Sequence, residues 1–193
     1  MTKKFKRRNL ILAEAGRLFA EKGFSDTSLG DIAESVGIKR ESLYYYYPSR
    51  YDLLYDIIAP QISRVMENFT AIVAEETDSR IIIRRGIESH LQHFNASYFH
   101  MVMAVRKNSS GDVQIKFIQL RDMFKSYEKA WLKMIHEGRA AGEIRPGAPP
   151  ELLVYSILGL CNSLSSWYRE GGILSLDQIS RYYADIILDG TKA

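Results

Sequence analysis

Lys39, Arg40 and Ser42 follow directly on Gly37-Ile38, and a run of four tyrosines, Tyr44 to Tyr47, comes straight after them. A lysine or arginine can give paired hydrogen bonds to guanine O6 and N7, and a serine hydroxyl can meet a base or a phosphate. Such groups read a duplex only if a short helix carries them into the major groove by its N-terminal end. Ser28 offers related chemistry, because backbone N–H groups at a helix start favour an anion such as phosphate. A different chemistry is suggested by His90 and His93 at i, i+3, with His100 seven residues on. Adjacent helical turns could present two imidazoles to zinc, but no third ligand follows from the spacing, and no metal or other cofactor is assigned.

A scaffold that aims Lys39, Arg40 and Ser42 outward must be helical, and the pattern predicts helices almost throughout. Ile11, Leu12, Ala15, Leu18 and Phe19 make one apolar face over roughly 6–22, which Gly23 ends. Thr27 or Ser28 caps a second helix, with Asp31 at capping-box spacing from Ser28 and Leu29, Ile32, Ala33 and Val36 on one face. Gly37 closes it, and a short third helix over about 40–46 stops before Pro48. Ala33, Gly37 and the fasteners Ile32, Val36, Ile38 and Leu43 are what a helix-turn-helix requires. Leu43 and Tyr47 share a face and are expected to pack inward. Ser49 caps a long fourth helix that Pro60 should bend or break. Further helices are predicted over about 78–94, 96–107, 113–141, 151–170 and 176–188. The turn Asn108 to Asp112 and the stretch RPGAPP fall between them. The fold class is therefore all-α with about nine helices.

Charge is uneven along the 193 residues. The first 51 hold 10 Lys+Arg against 6 Asp+Glu, and the remainder 16 against 17. A basic segment on a near-neutral body suits a phosphate-binding module attached to a partner or ligand domain. The basic start, Lys3, Lys4, Lys6, Arg7 and Arg8, suits either a solvated tail or a minor-groove arm. A 46% hydrophobic composition supports a packed core. The single cysteine, Cys161, excludes an internal disulfide, and the apolar run from Leu10 to Ala13 is too short for a signal sequence. With no apolar run long enough to span a bilayer, a cytoplasmic protein without membrane contact is expected. No G-x-S-x-G, P-loop or H-E-x-x-H occurs, so an enzyme is not expected. A helical adaptor that keeps the motif without using it is the remaining rival.

From Ile11 to Leu54 the order of residues closely resembles the N-terminal domain of TetR-family transcriptional regulators. The matching positions are Ile11-Leu12, Ala15, Leu18-Phe19, Gly23-Phe24, Thr27-Ser28, Asp31-Ile32-Ala33, Gly37, Leu43-Tyr44, Ser49-Arg50 and Leu53. Two departures stand out, Tyr47 where phenylalanine is usual and Arg50 where lysine is usual. The resemblance implies a DNA-binding domain over 1–51 and a ligand-binding and dimerisation domain over 52–193. It makes Tyr44, Tyr45 and Tyr46 backbone or base contacts and Arg50 a phosphate contact, beside Ser28, Lys39, Arg40 and Ser42.

For the body, the resemblance implies that the last two helices pair with their copies in a homodimer. Two apolar stripes fit, Leu152, Leu153, Ile157, Leu160, Leu164 and Trp167 on one helix and Leu176, Ile179, Tyr183, Ile186 and Ile187 on the other. Gly159, Asn162, Trp167-Tyr168, Gly171-Gly172, Leu176 and Gly190 resemble a branch controlling fatty-acid or steroid catabolism, whose effectors are acyl-CoA thioesters. An effector of that kind needs an apolar tunnel with cations at its mouth. Phe69, Phe94, Tyr98, Met101, Tyr127, Trp131 and Met134 are the expected lining, and Arg84, Arg85, Arg106 and Lys107 the expected cations. A regulator of drug efflux or a stress gene would instead need an acid for a cationic or aromatic ligand, and Glu128 is the candidate. The expected function is repression of a palindromic operator, relieved by a small molecule.

Overall fold

The computed structural model describes residues 3–92, 101, 115–169 and 171–190, with side chains from Lys4 onward. Among these residues there are eight helices: α1 (Lys3–Lys22), α2 (Leu29–Val36), α3 (Arg40–Tyr46), α4 (Arg50–Glu75), α5 (Ser79–Gln92), α6 (Ile115–Ala140), α7 (Pro150–Trp167) and α8 (Leu176–Gly190). The helix expected over 96–107 and the turn at 108–112 lie outside the described residues. Described residues of 1–61 and 97–123 form one compact unit, and those of 62–96 and 124–193 form another.

Local chemistry explains the boundaries in the first unit. Ser28 caps α2 with a complete capping box: its Oγ accepts from the Asp31 N–H at 3.1 Å, and its own N–H donates to the Asp31 carboxylate at 2.8 Å. Those hydrogen bonds hold the Asp31 carboxyl below the usual carboxylate range. Gly37 closes α2 with φ 70°, a left-handed conformation that costs glycine nothing. Ser49 and Asp52 repeat the reciprocal cap at the start of α4, at 3.3 and 3.1 Å. The core of this unit is apolar and draws on four helices, with Ile11, Phe19, Ile32, Leu43, Leu53 and Leu54 buried. The rings of Phe19, Phe24 and Tyr51 meet edge-on in series at 5.1 and 5.2 Å.

Pro60 does not interrupt α4, which stays helical from Arg50 to Glu75. Its ring lies on the exposed side of the helix, where water can replace the missing hydrogen bond. Ile58, Ala59 and Ile62 beside it are buried.

The second unit is organised around Trp131, which is wholly buried. Phe69 stacks on its indole at 4.3 Å, and Tyr127 approaches Phe69 edge-on at 5.8 Å. Gly86 permits this arrangement, because a Cβ there would stand 2.6 Å from the Trp131 ring. Ile83, Ile87, Ile157, Leu164 and Ile179 close the core.

Candidate nucleic-acid interface

Helix α3 has only seven residues, too few to hold itself together in water, so tertiary contacts must fix it. Leu43 and Tyr47 supply the inward contacts, at 0% and 2% exposed. The opposite side is open: Lys39, Arg40, Ser42, Tyr44 and Tyr45 are exposed and Tyr46 is half-buried. Arg40 donates to the Tyr44 hydroxyl at 3.0 Å, and its guanidinium lies over that ring at 5.5 Å. Lys4 of α1 donates to the Tyr45 hydroxyl at 3.3 Å, over a ring that meets Tyr46 edge-on at 5.4 Å. Helix α1 begins about a turn earlier than its apolar pattern predicts, so Lys4, Lys6, Arg7 and Arg8 sit on a helix rather than a tail. The structure thus gathers Arg40, Ser42, Tyr44 and Tyr45 on one helix, with Lys39 at its N-cap, and brings Lys4 beside Tyr45. Ser28 is exposed at the start of α2 but is engaged in its capping box.

Arg50 is placed differently from expectation. Its guanidinium turns onto the α1–α2 loop, donating to the carbonyls of Ser25 at 2.8 Å, Phe24 at 3.3 Å and Thr27 at 3.4 Å. It also lies over the Phe24 and Tyr51 rings, at 4.9 and 5.7 Å. All three of these hydrogen bonds come from Nη1, so the loop engages one nitrogen of the group expected at a phosphate. Tyr47 is buried but polar at its tip. Its hydroxyl accepts from Arg8 Nε at 2.8 Å and donates to the Asp56 carboxylate at 3.1 Å. Burial is the main cause that pushes the phenol up to about 12, so it keeps its proton.

In the second unit, Phe69, Tyr127, Trp131 and Met134 do meet, but as filled core. Met101 is buried and belongs to the other unit, while Phe94, Tyr98, Arg106 and Lys107 lie outside the described residues. The sequence reading missed that His90 belongs to this aromatic core: its Nδ1 lies 3.2 Å from the Tyr127 hydroxyl. Burial drives His90 down to about 4, against a smaller opposing effect of a hydrogen bond with Asn162, so the ring is neutral. Burial likewise raises the Tyr127 phenol. Among the described residues no three His, Cys, Asp or Glu side chains converge as metal ligands; His93 and His100 lie outside them. Arg84 pairs with Asp185 at 2.8 Å, and Arg85 with Glu75 and Glu76 at 2.9 Å each, so neither is an unengaged cation. Glu128 borders an open surface cleft of about 260 Å³ with Lys125, Glu151 and Tyr155, rather than pointing into the core.

The expected dimer stripe divides between core and surface. Ile157, Leu164 and Ile179 are at most 2% exposed in the single chain, and Leu153, Leu160 and Tyr183 are half-buried against the same core. Leu152, Trp167 and Ile186 of that set are exposed, and Ile187 is buried. The outward apolar side chains of these helices are Leu152, Tyr155 and Trp167 on α7 and Tyr182 and Ile186 on α8, each 48% exposed or more.

A seven-residue helix that presents Lys39 and Arg40 at its start, preceded by a glycine-ended partner helix, together with a second helical unit defines a helix-turn-helix DNA-binding regulator. Two family models cover the chain: "Bacterial regulatory proteins, tetR family" over residues 11–57 and "Tetracyclin repressor-like, C-terminal domain" over 76–191. The chain belongs to the TetR family of transcriptional regulators. It is 26% identical to the transcriptional repressor KstR2 of Rhodococcus jostii, over 95% of this chain and 90% of that one. The structure of the ketosteroid transcriptional regulator KstR2 of Mycobacterium tuberculosis superposes with TM-score 0.85 at 23% identity, covering 97% and 95% of the two chains. AibR, solved with isovaleryl coenzyme A and operator DNA, superposes with TM-score 0.78 at 19% identity, covering 93% and 97%. Among the described residues no helix is long and apolar enough to cross a membrane.

Proposed function

We propose that this regulator is a cytoplasmic homodimeric repressor that reads a palindromic operator with residues 1–51 and senses an acyl-CoA thioester with residues 52–193. The observation that carries the DNA half is the open face of α3, where Tyr44 holds the Arg40 guanidinium at the helix start. Arg40 and Lys39 donate to guanine in the major groove. Ser42, Tyr44, Tyr45 and Tyr46 complete the base and backbone contacts, with Ser28 at the phosphate near the start of α2. Two copies of α3 must lie about 34–36 Å apart to read both halves of a palindrome, which makes the dimer part of the mechanism. Leu152, Tyr155, Trp167, Tyr182 and Ile186 are the surface we assign to it, since an apolar group of this size on two adjacent helices calls for a partner.

Support for the effector class comes from AibR, solved with isovaleryl coenzyme A, and from overall similarity to KstR2. The ligand releases the operator by binding the DNA-incompetent state more tightly, which changes the separation of the two α3 helices. Thermal-shift measurements against an acyl-CoA series, with free coenzyme A and cationic dyes as controls, test this reading. A site filled at a hundredfold excess over Kd stabilises by about 2.7 kcal/mol, and the same thioester must then release a selected operator. Stabilisation by cationic dyes alone would overturn the effector class while leaving the DNA-binding reading intact.

A further inference from the structure

Two side-chain ties fasten the first turns of α4 to the helices that read DNA. In the first, the Tyr47 hydroxyl stands between Arg8 of α1 and Asp56 of α4, and Arg8 also pairs with Asp56 directly. Tyr47 immediately follows α3, so this one oxygen links α1, the end of the recognition helix and α4. Its body is buried, and both its accepting and its donating capacity are used. In the second tie, Arg50 reaches the carbonyls of Phe24, Ser25 and Thr27 just ahead of α2, with the Phe24 and Tyr51 rings against its plane. All three contacts come from Nη1, and a planar guanidinium suits the site because its face can also lie against the two rings.

Helix α3 needs such anchorage. It is seven residues long, and its N-cap Lys39 gives no side-chain cap. Its orientation therefore depends on what grips it from outside, and Leu43, being apolar, can fix depth but not rotation. The directional contacts at its C-terminal end are those of Tyr47.

We propose that Arg8, Tyr47, Asp56 and Arg50 are positioning residues for operator reading: they set the angle of α3 against α1 and α4 and make no contact with DNA themselves. This rests on the reading that α3 enters the major groove, and it departs from the simpler expectation that exposed basic groups near the groove bind phosphates.

Salt dependence separates the two. A side chain that neutralises a phosphate contributes about 0.9 to the slope of log K against log salt concentration, whereas a positioning group contributes nothing to it. The experiment measures operator and random-sequence binding of the full-length protein by fluorescence anisotropy from low to moderate salt. It compares the parent with Tyr47→Phe, Arg8→Gln, Asp56→Asn, Arg50→Gln and Arg50→Lys. Unfolding temperatures are recorded so that every titration runs well below each transition. We expect operator affinity to fall about tenfold in Tyr47→Phe, with random-sequence binding unchanged. Arg8→Gln should fall similarly and combine with Tyr47→Phe less than additively. Both arginine-to-glutamine variants should keep the parent slope, and Arg50→Lys should lose operator affinity although its charge remains.

A slope reduced by about one phosphate in Arg8→Gln or Arg50→Gln would overturn the proposal, as would parental operator affinity in Tyr47→Phe. Should Arg50→Gln not fold, Arg50→Lys and Tyr47→Phe decide the matter, because the first keeps the charge and the second removes a single oxygen. A parent protein that prefers no selected operator would sink the DNA-reading assignment instead, a result distinguishable from failure of the ties.

Discussion

The recognition helix α3 and the core around Trp131 use aromatic residues in opposite ways. On α3 the rings of Tyr44 and Tyr45 stand in solvent, 42% and 72% exposed, each with a cation from Arg40 or Lys4 beside it. Around Trp131 the rings of Phe69 and Tyr127 are buried against one another, and burial keeps both the Tyr127 phenol and the His90 ring neutral. The first arrangement spends little folding energy and offers donors to a partner. The second supplies much of the stability of its unit and offers a ligand only what it can displace. Substitutions on α3 should therefore alter binding with little change in folding, and substitutions around Trp131 should do the reverse.

The largest test of that contrast is Trp131→Ala. Removing a wholly buried indole should cost about 3–5 kcal/mol of unfolding free energy, read by urea denaturation. A cost below about 1 kcal/mol would mean that the ring does not bear on stability, and the contrast would fail.

His90 sharpens it through pH. Its ring titrates near 6.5 in the unfolded chain and at about 4 when folded, so the unfolded state binds the extra proton between those values. Stability from this group is complete above about pH 6.5 and declines as pH falls towards 4, by about 3 kcal/mol in all. His90→Asn should flatten that part of the stability–pH curve relative to the parent. Parallel curves for the two proteins would show that the histidine is not buried neutral.

On the other side, Arg40→Ala should weaken operator binding by about 1–3 kcal/mol and relax preference at one base pair, with unfolding temperature nearly unchanged. An equal loss at every base position would make Arg40 a backbone contact instead. The smallest effect is expected at Ser28. Its alanine variant loses the α2 cap and about 1 kcal/mol of stability, measured in the same urea titrations. No loss at all would mean that the Asp31 carboxylate caps α2 unaided.

Much of the reading side was legible in order and type alone. Caps and stops are short-range chemistry, so Ser28 with Asp31, Gly37 and Ser49 could be assigned before any tertiary contact was known. Residue type likewise sent Leu43 inward and left Lys39, Arg40 and Ser42 at a helix start. The effector side was far less legible, because an aromatic that lines a ligand and one that fills a core look the same in sequence. Phe69, Tyr127, Trp131 and Met134 were named together and are found together, yet only the packing revealed that they fill one another's space.

The amino-acid order by itself determined an all-helical chain with a helix-turn-helix near its start, since periodicity, caps and glycine stops act within a few residues. Tertiary structure decided where long side chains reach and which face of an apolar helix turns inward. Arg50 has several acceptors within its flexible length, and the α1–α2 loop carbonyls captured it. Helix α7 is apolar around much of its circumference, so spacing could not choose between Ile157 and Tyr155 as the outward residue. That choice belongs to whichever neighbour fills the space beside it, and here the core of the second unit took Ile157, Leu164 and Ile179 and left Tyr155, Tyr182 and Ile186 to the surface.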